Sequence, residues 1–380
     1  MTTMSRLSKL HDEGQSIWLD NIDRPMLFNG ELERRIAEDS LTGMTSNPTI
    51  FEKALAEGNE YDEQLMSAPS GLTPNQLFEL VETTDVQRAC DLFAGVYSTT
   101  RGADGYVSIE CSPGVANDHT ATIEEAHRLW ETVDRPNVMV KVPGTGEGAL
   151  AVRDLTAAGI NVNITLLFSI DNHERVLDAY LAGLEDRIAA GNPVDHVFSV
   201  ASFFVSRVDT EIDKRLDELV KAANPSDRDR LKMLKGRAAI ANAKLAYRLF
   251  KRRFNEEDPR WKNLRERGAR VQQPLWASTS VKNPVYRDVM YVEELIGPDT
   301  INTMPPSLID AFRDHGDVQR TVDKRLGAAE GLLREINAVG ISMKDVTDKL
   351  LADGLSSFQK SFDSLTAGIE RKMGALAASK

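Results

Sequence analysis

The chain has 380 residues, with 46 Lys and Arg against 58 Asp and Glu, and its formal charge of −12 disfavours nucleic acid or anionic lipid as a general partner. A composition of 41% hydrophobic and 27% charged residues excludes a disordered chain and allows a large core. No apolar run approaches the ~20 residues of a membrane span. No apolar signal core opens the sequence. Cys90 and Cys111 lack the paired spacing of a disulfide framework or zinc site, which fits a reducing cytoplasm.

In chain order, β-like runs occupy residues 16–20, 41–45, 106–110, 138–143, 161–166, 196–202, 271–277 and 300–304. Amphipathic stretches lie between several of them, at 123–134, 146–158, 169–190, 205–223 and 285–296. The alternation predicts a parallel α/β architecture, a (β/α)8 TIM-type barrel. Residues 51–101 and 228–270 exceed a minimal βα unit and read as extra helices. The basic stretch within 248–270 is interspersed with Glu256, Glu257, Asp258 and Glu266 and reads as a solvated helix face. Residues 318–380 read as a helical C-terminal extension packing on the barrel. No Pro/Gly/Ser-rich linker interrupts the chain, so a single decorated barrel domain over residues 1–380 is expected. Gly144 to Gly148 lacks the Lys-Ser/Thr of a phosphate-binding loop and is read as a strand-to-helix turn.

Strand parity locates the chemistry, because alternate residues of a barrel strand point inward. In 138–143 the valines share one face, which turns Met139 and Lys141 inward. The same rule sends Asn161, Asn163 and Thr165 inward from 161–166, with Val162, Ile164 and Leu166 outward. It also sends Ser108 and Glu110 inward from 106–110, and Trp18 and Asp20 from 16–20. Polar groups thus gather toward the strand C-termini, where barrel enzymes place their sites. The competing reading is an internal ion-pair network of Lys141 with Glu110 or Asp20.

The sequence offers no His cluster with metal spacing, no Cys–His pair and no dinucleotide fingerprint, so no metal or cofactor is expected and activity should survive EDTA. A lysine desolvated inside a barrel is more easily deprotonated, and its amine can attack a ketone to form an imine. A carboxylate such as Asp20 can then take a hydroxyl proton so that the adjacent C–C bond breaks.

Five segments, Gly43-Met44-Thr45-Ser46-Asn47-Pro48, Ser108-Ile109-Glu110, Val140-Lys141-Val142-Pro143, Asn163 to Ser169, and Ala201 to Arg207, resemble transaldolase in order and content. The resemblance implies a Schiff base on Lys141, with Asp20 as acid/base group at the donor C4 hydroxyl. It assigns Glu110 and Thr165 to a water used in dehydration and hydrolysis. It further implies that Thr45, Asn47, Asn163 and Ser202 bind the three-carbon unit, and that Arg207 and Ser278 hold the substrate phosphate. The alternative for Arg207 is a surface pair with Asp209 or Asp213. After the seventh strand the family commonly has Ser-x-Arg-Asn. Here Ser278 to Asn283 is two residues longer and carries Lys282, which offers charge without a planar fork.

The implied reaction is dihydroxyacetone transfer from sedoheptulose 7-phosphate to glyceraldehyde 3-phosphate, giving erythrose 4-phosphate and fructose 6-phosphate. The rival readings are a fructose 6-phosphate aldolase that releases dihydroxyacetone, a non-catalytic sugar-phosphate-binding barrel, and a module of a larger pentose-phosphate assembly. Sugar phosphates are the expected partners, and monomer and homodimer both fit the sequence. The C-terminal helix near Phe358 and Phe362 is a candidate cover for the barrel mouth, with packing on the outer helices as the alternative.

Overall fold

A computed structural model of the chain describes residues 5–378. Residues 1–4 and 379–380, the two ends of the domain expected from sequence, lie outside the described residues. Eight strands close into a barrel in chain order: β1 (Gln15–Asp20), β2 (Leu41–Thr45), β3 (Tyr106–Glu110), β4 (Val138–Pro143), β5 (Val162–Leu167), β6 (Ser199–Phe204), β7 (Gln272–Ala277) and β8 (Thr300–Met304). Every neighbouring pair, including β1 with β8, is parallel. The expected (β/α)8 architecture is the observed one. No helix among the described residues is long and apolar enough to cross a membrane.

Local chemistry starts the helices where the strands deliver the chain. Thr145 caps the Gly146–Ala158 helix by accepting from Gly148 N, which makes 144–148 the turn expected from sequence. Ser169 caps Ile170–Ala189 in the same way. The long extra helix Pro74–Thr99 opens with a Thr73–Gln76 capping box and a proline in its first turn.

The floor of the barrel is filled by Trp18, whose ring lies against β2 at Gly43. A β-carbon there would sit 2.5 Å from the indole, so only glycine fits. The indole N–H donates to Asp104 Oδ1 at 2.9 Å, and the Ser16 hydroxyl donates to the other carboxylate oxygen. This anchors β1 two residues below Asp20.

Asn161, just before β5, is buried and ties neighbouring strand starts, donating to the Pro136 and Val138 carbonyls and accepting from Phe198 N. Three local expectations are corrected. Strand β6 runs from Ser199 to Phe204 instead of 196–202, because Val197 is held in a turn by the Val194 carbonyl. Leu166 does not sit outward with Val162 and Ile164. The β5–β6 register shifts between Ile164 and Leu167, and Leu166 takes a left-handed φ of 59°, a strained conformation for a γ-branched side chain. Most of the helix predicted at 285–296 is loop, with one short helix at Met290–Glu293. The tyrosines that supplied its apolar spacing bond to another helix, as described below.

Two helices end the chain, Leu326–Ala338 and Met343–Ala378. The last one touches the Ser206–Ala222 helix after β6, the top of β5, the short turn after β3 and the helices between β2 and β3. It therefore crosses the C-terminal mouth of the barrel. Gly354 makes the crossing close: a β-carbon there would lie 2.9 Å from Leu166 Cδ2. Farther along, Phe362 meets Phe78 edge-on at 5.9 Å, and Ser361 accepts from Thr49 Oγ1 at 2.9 Å.

Candidate active site

Beneath that helix the mouth opens into a cavity of about 760 Å³ lined by side chains from the C-terminal ends of the strands. Asp20, Thr45, Asn47, Lys141, Thr165, Ser202, Arg207, Ser278 and Lys282 all line it, together with Phe358 of the C-terminal helix. Of the residues expected from sequence, Glu110 and Asn163 do not line it and are hydrogen-bonded to Lys141 and Ser202, which do.

The strand register explains the convergence. Glu110 on β3 pairs with Lys141 on β4, Lys141 with Asn163 on β5, and Asp20 on β1 with Thr45 on β2. Lys141 Nζ donates to Glu110 Oε2 and to the Ser46 carbonyl, both at 3.1 Å. Both charged side chains are nearly enclosed, at 7% and 3% exposure, so the pair is a buried one whose partners depend on each other. Burial pushes the Glu110 carboxyl up from its ordinary range, the Lys141 charge and hydrogen bond oppose this, and the Asp20 charge adds to the rise. A carboxyl so placed readily exchanges a proton beside the lysine.

A second chain of hydrogen bonds runs along the next strands. Asn163 Nδ2 donates to Ser108 Oγ at 2.9 Å, and Ser202 Oγ donates to Asn163 Oδ1 at 2.7 Å. Asn163 thereby fixes the Ser202 hydroxyl on the cavity wall. On the opposite side Thr45 Oγ1 donates to Asp20 Oδ1 at 3.0 Å and meets Thr303 Oγ1 at 2.9 Å. Asn47 accepts from Ile50 N as the cap of the Pro48–Glu57 helix, so the cap holds its side chain in place at the cavity wall. The Thr165 hydroxyl is buried and has no protein partner among the described residues. Buried hydroxyls are nearly always partnered, which marks this one as a hydrogen-bonding slot.

Arg207 stands in the first turn of the Ser206–Ala222 helix, over the Phe204 ring with its guanidinium carbon 5.2 Å from the centroid. The alternative pairing with Asp209 or Asp213 is not what forms: those carboxylates accept from Ala239 N and Tyr291, and from Gly236 N and Tyr286. Among the described residues Arg207 has no carboxylate partner within ion-pair distance. Burial lowers its pKa, opposed by the charge of Asp20. An unpaired guanidinium at this edge is a ready anion site. Ser278 and Lys282, on the loop after β7, line the same cavity.

The family model for transaldolase/fructose-6-phosphate aldolase matches residues 17–369. The chain belongs to the transaldolase/fructose-6-phosphate aldolase family. It is 44% identical to the transaldolase of Mycobacterium ulcerans over 373 residues, 98% of each chain. It is 44% identical to that of Thermobifida fusca over 98% of this chain and 99% of the relative. With the transaldolase of Trichodesmium erythraeum it shares 43% identity over 97% of this chain and 98% of the relative. The match starts within β1 and ends within the last helix, so the family similarity includes the helix that crosses the mouth.

Sequence reading passed over several residues of this transaldolase-family cavity. Thr303 on β8 and Phe204 on β6 line it, and alternation did not single out Thr303 because it shares its strand face with Ile301. Ser280, Tyr61 and Asn21 reach it from loops, where no period applies. The Ser46 carbonyl that receives the Lys141 ammonium is a backbone group and leaves no trace in side-chain pattern.

Proposed function

We infer that this chain catalyses the transaldolase reaction through a Schiff base on Lys141, in the cytoplasm and without a cofactor, as one barrel unit over residues 1–380. The observation that carries the reading is the Lys141 amine at the cavity wall, held by Glu110 and the Ser46 carbonyl. A binding barrel has no need of an enclosed amine. The neutral amine attacks the C2 carbonyl of the donor, fructose 6-phosphate or sedoheptulose 7-phosphate, giving a carbinolamine. Glu110 supplies a proton to the departing hydroxyl through a water held at the Thr165 hydroxyl, water leaves, and the protonated imine forms.

Asp20 then removes the proton of the C4 hydroxyl. The C3–C4 bond breaks, its electron pair moves into the imine to make an enamine, and the aldehyde product departs. The enamine attacks the carbonyl of the acceptor, whose oxygen takes the proton back from Asp20. Hydrolysis by the same water frees the new ketose. Thr45 orients Asp20 by its 3.0 Å hydrogen bond. Asn47 and Ser202 hold the hydroxyls of the three-carbon unit, with Asn163 orienting Ser202. Arg207, Ser278 and Lys282 hold the phosphate at the opposite rim. Phe358 and the helix that carries it shield the waiting enamine from water.

The test is an assay with fructose 6-phosphate as donor, with and without erythrose 4-phosphate. Sedoheptulose 7-phosphate formed only with acceptor supports transfer. Free dihydroxyacetone released at the same rate in either case would move the chain to the aldolase reading.

A further inference from the structure

We propose that the two tyrosines of the loop after β7, above all Tyr286, are positioning residues that latch this loop to the Arg207-bearing helix and so place Lys282 on the substrate phosphate. The proposal rests on the phosphate role of Arg207 and Lys282 given above. Three successive turns of the Ser206–Ala222 helix each hold one point of the loop. Ser206 N donates to the Ser278 carbonyl, and the two serine hydroxyls meet, both at 3.0 Å. One turn on, Asp209 Oδ2 accepts from the Tyr291 hydroxyl at 2.9 Å. A further turn on, Asp213 Oδ2 accepts from the Tyr286 hydroxyl at 2.6 Å. Residues 206, 209 and 213 share one helix face, whereas Arg207 points elsewhere, to the cavity.

Other contacts hold the ends of the loop, Thr279 to Asn302 on one side and Arg287 to Glu293 on the other, and leave Tyr286 as the first point after Lys282 that is hydrogen-bonded to the Arg207-bearing helix. A second cavity of about 620 Å³ lies on the loop's other side, lined by Asp209, Asp213, Lys282, Tyr286 and Tyr291. Val285 is 84% exposed, and the apolar contacts of this stretch lie at its ends, at the partly buried Val281 and the buried Val289. Lys282 itself has no ion-pair partner among the described residues. The receiving side of the latch is built with care. Asp213 is held by Gly236 N at 2.9 Å, and the Tyr286 ring covers Gly236, where a β-carbon would fall 2.6 Å from the ring and φ is +67°. Lys282 presents a point charge on a flexible stem with no planar fork to orient it, so where its charge sits depends on how the loop that carries it is fixed.

The variants Tyr286→Phe, Lys282→Ala and the double variant separate the possibilities. Each is measured for kcat and KM with fructose 6-phosphate, for competitive inhibition by inorganic phosphate and for thermal midpoint. Loss of one side-chain hydrogen bond predicts that Tyr286→Phe raises KM and the phosphate inhibition constant together, by on the order of five- to tenfold, with kcat within about twofold. Because the tyrosine acts through Lys282, adding Tyr286→Phe to Lys282→Ala changes neither constant further. Unchanged constants in Tyr286→Phe, or independent losses that multiply in the double variant, overturn the latch. If Lys282→Ala alone leaves phosphate inhibition intact while Arg207→Ala abolishes it, Lys282 is not a phosphate contact and the latch falls with it. If neither substitution affects phosphate, it is the phosphate reading itself that has failed.

Discussion

Replacing Lys141 with Met removes the nucleophile, fills a similar volume and leaves Glu110 enclosed without its cation. The Glu110 side chain is 3% exposed, and an unpaired charge there is costly. Taking up a proton caps that cost. A glutamate ionises near pH 4.3 in the unfolded chain, so keeping it neutral in the folded variant costs about 3.7 kcal/mol at pH 7 and about 1 kcal/mol at pH 5. The carboxyl of the variant has a folded pKa above its unfolded one, so its contribution is fully present below about pH 4.3 and is lost as pH rises. Denaturant unfolding of wild type and Lys141→Met at both pH values should therefore show a deficit that grows by up to about 2.7 kcal/mol from pH 5 to pH 7, less whatever the raised Glu110 already costs the wild type over that range. Adding Glu110→Gln should flatten that growth. A deficit equal at the two pH values, or one unchanged by Glu110→Gln, would refute the reasoning that the pair is buried and mutually dependent.

Exchanging Asp20 for Asn should lower kcat by on the order of 10²–10⁴-fold while donor binding changes little, since the residue moves a proton and is held by Thr45; an effect confined to KM argues against that role. Arg207→Ala should weaken fructose 6-phosphate on the order of a hundredfold and leave free dihydroxyacetone nearly unaffected, so equal losses for both would remove it from the phosphate site. Burial lifts the Asp209 carboxyl to about 7, against the pull of Ala239 N and Tyr291. Its stabilising contribution is full below the ordinary carboxylate range and disappears as pH rises through 7. Asp209→Asn should thus flatten the stability profile between pH 4 and pH 8 by up to roughly 4 kcal/mol, and parallel profiles for variant and wild type would contradict the assignment.

What the sequence could reveal followed from period. Inside regular strands, two-residue alternation needs no tertiary information, and it turned Lys141 and Asp20 to the cavity and Glu110, Ser108 and Asn163 to the hydrogen-bonded groups around it. It failed where the strand stopped being regular. Leu166 breaks alternation at a register shift, and its side chain lies against Gly354, some 190 residues away in sequence. The spacing of Tyr286 and Tyr291 reads as helix, but their hydroxyls bond to Asp213 and Asp209 on another element. The path of the last helix over the mouth rests on contacts of Phe358 and Gly354 that no local pattern encodes.

The account stands most directly on the covalent intermediate. Incubation with fructose 6-phosphate and borohydride, without acceptor, reduces an imine to a stable adduct that intact mass and peptide mapping locate. The account predicts one three-carbon addition per chain, on Lys141. An adduct on another lysine, or continued turnover with no adduct at all, would contradict it.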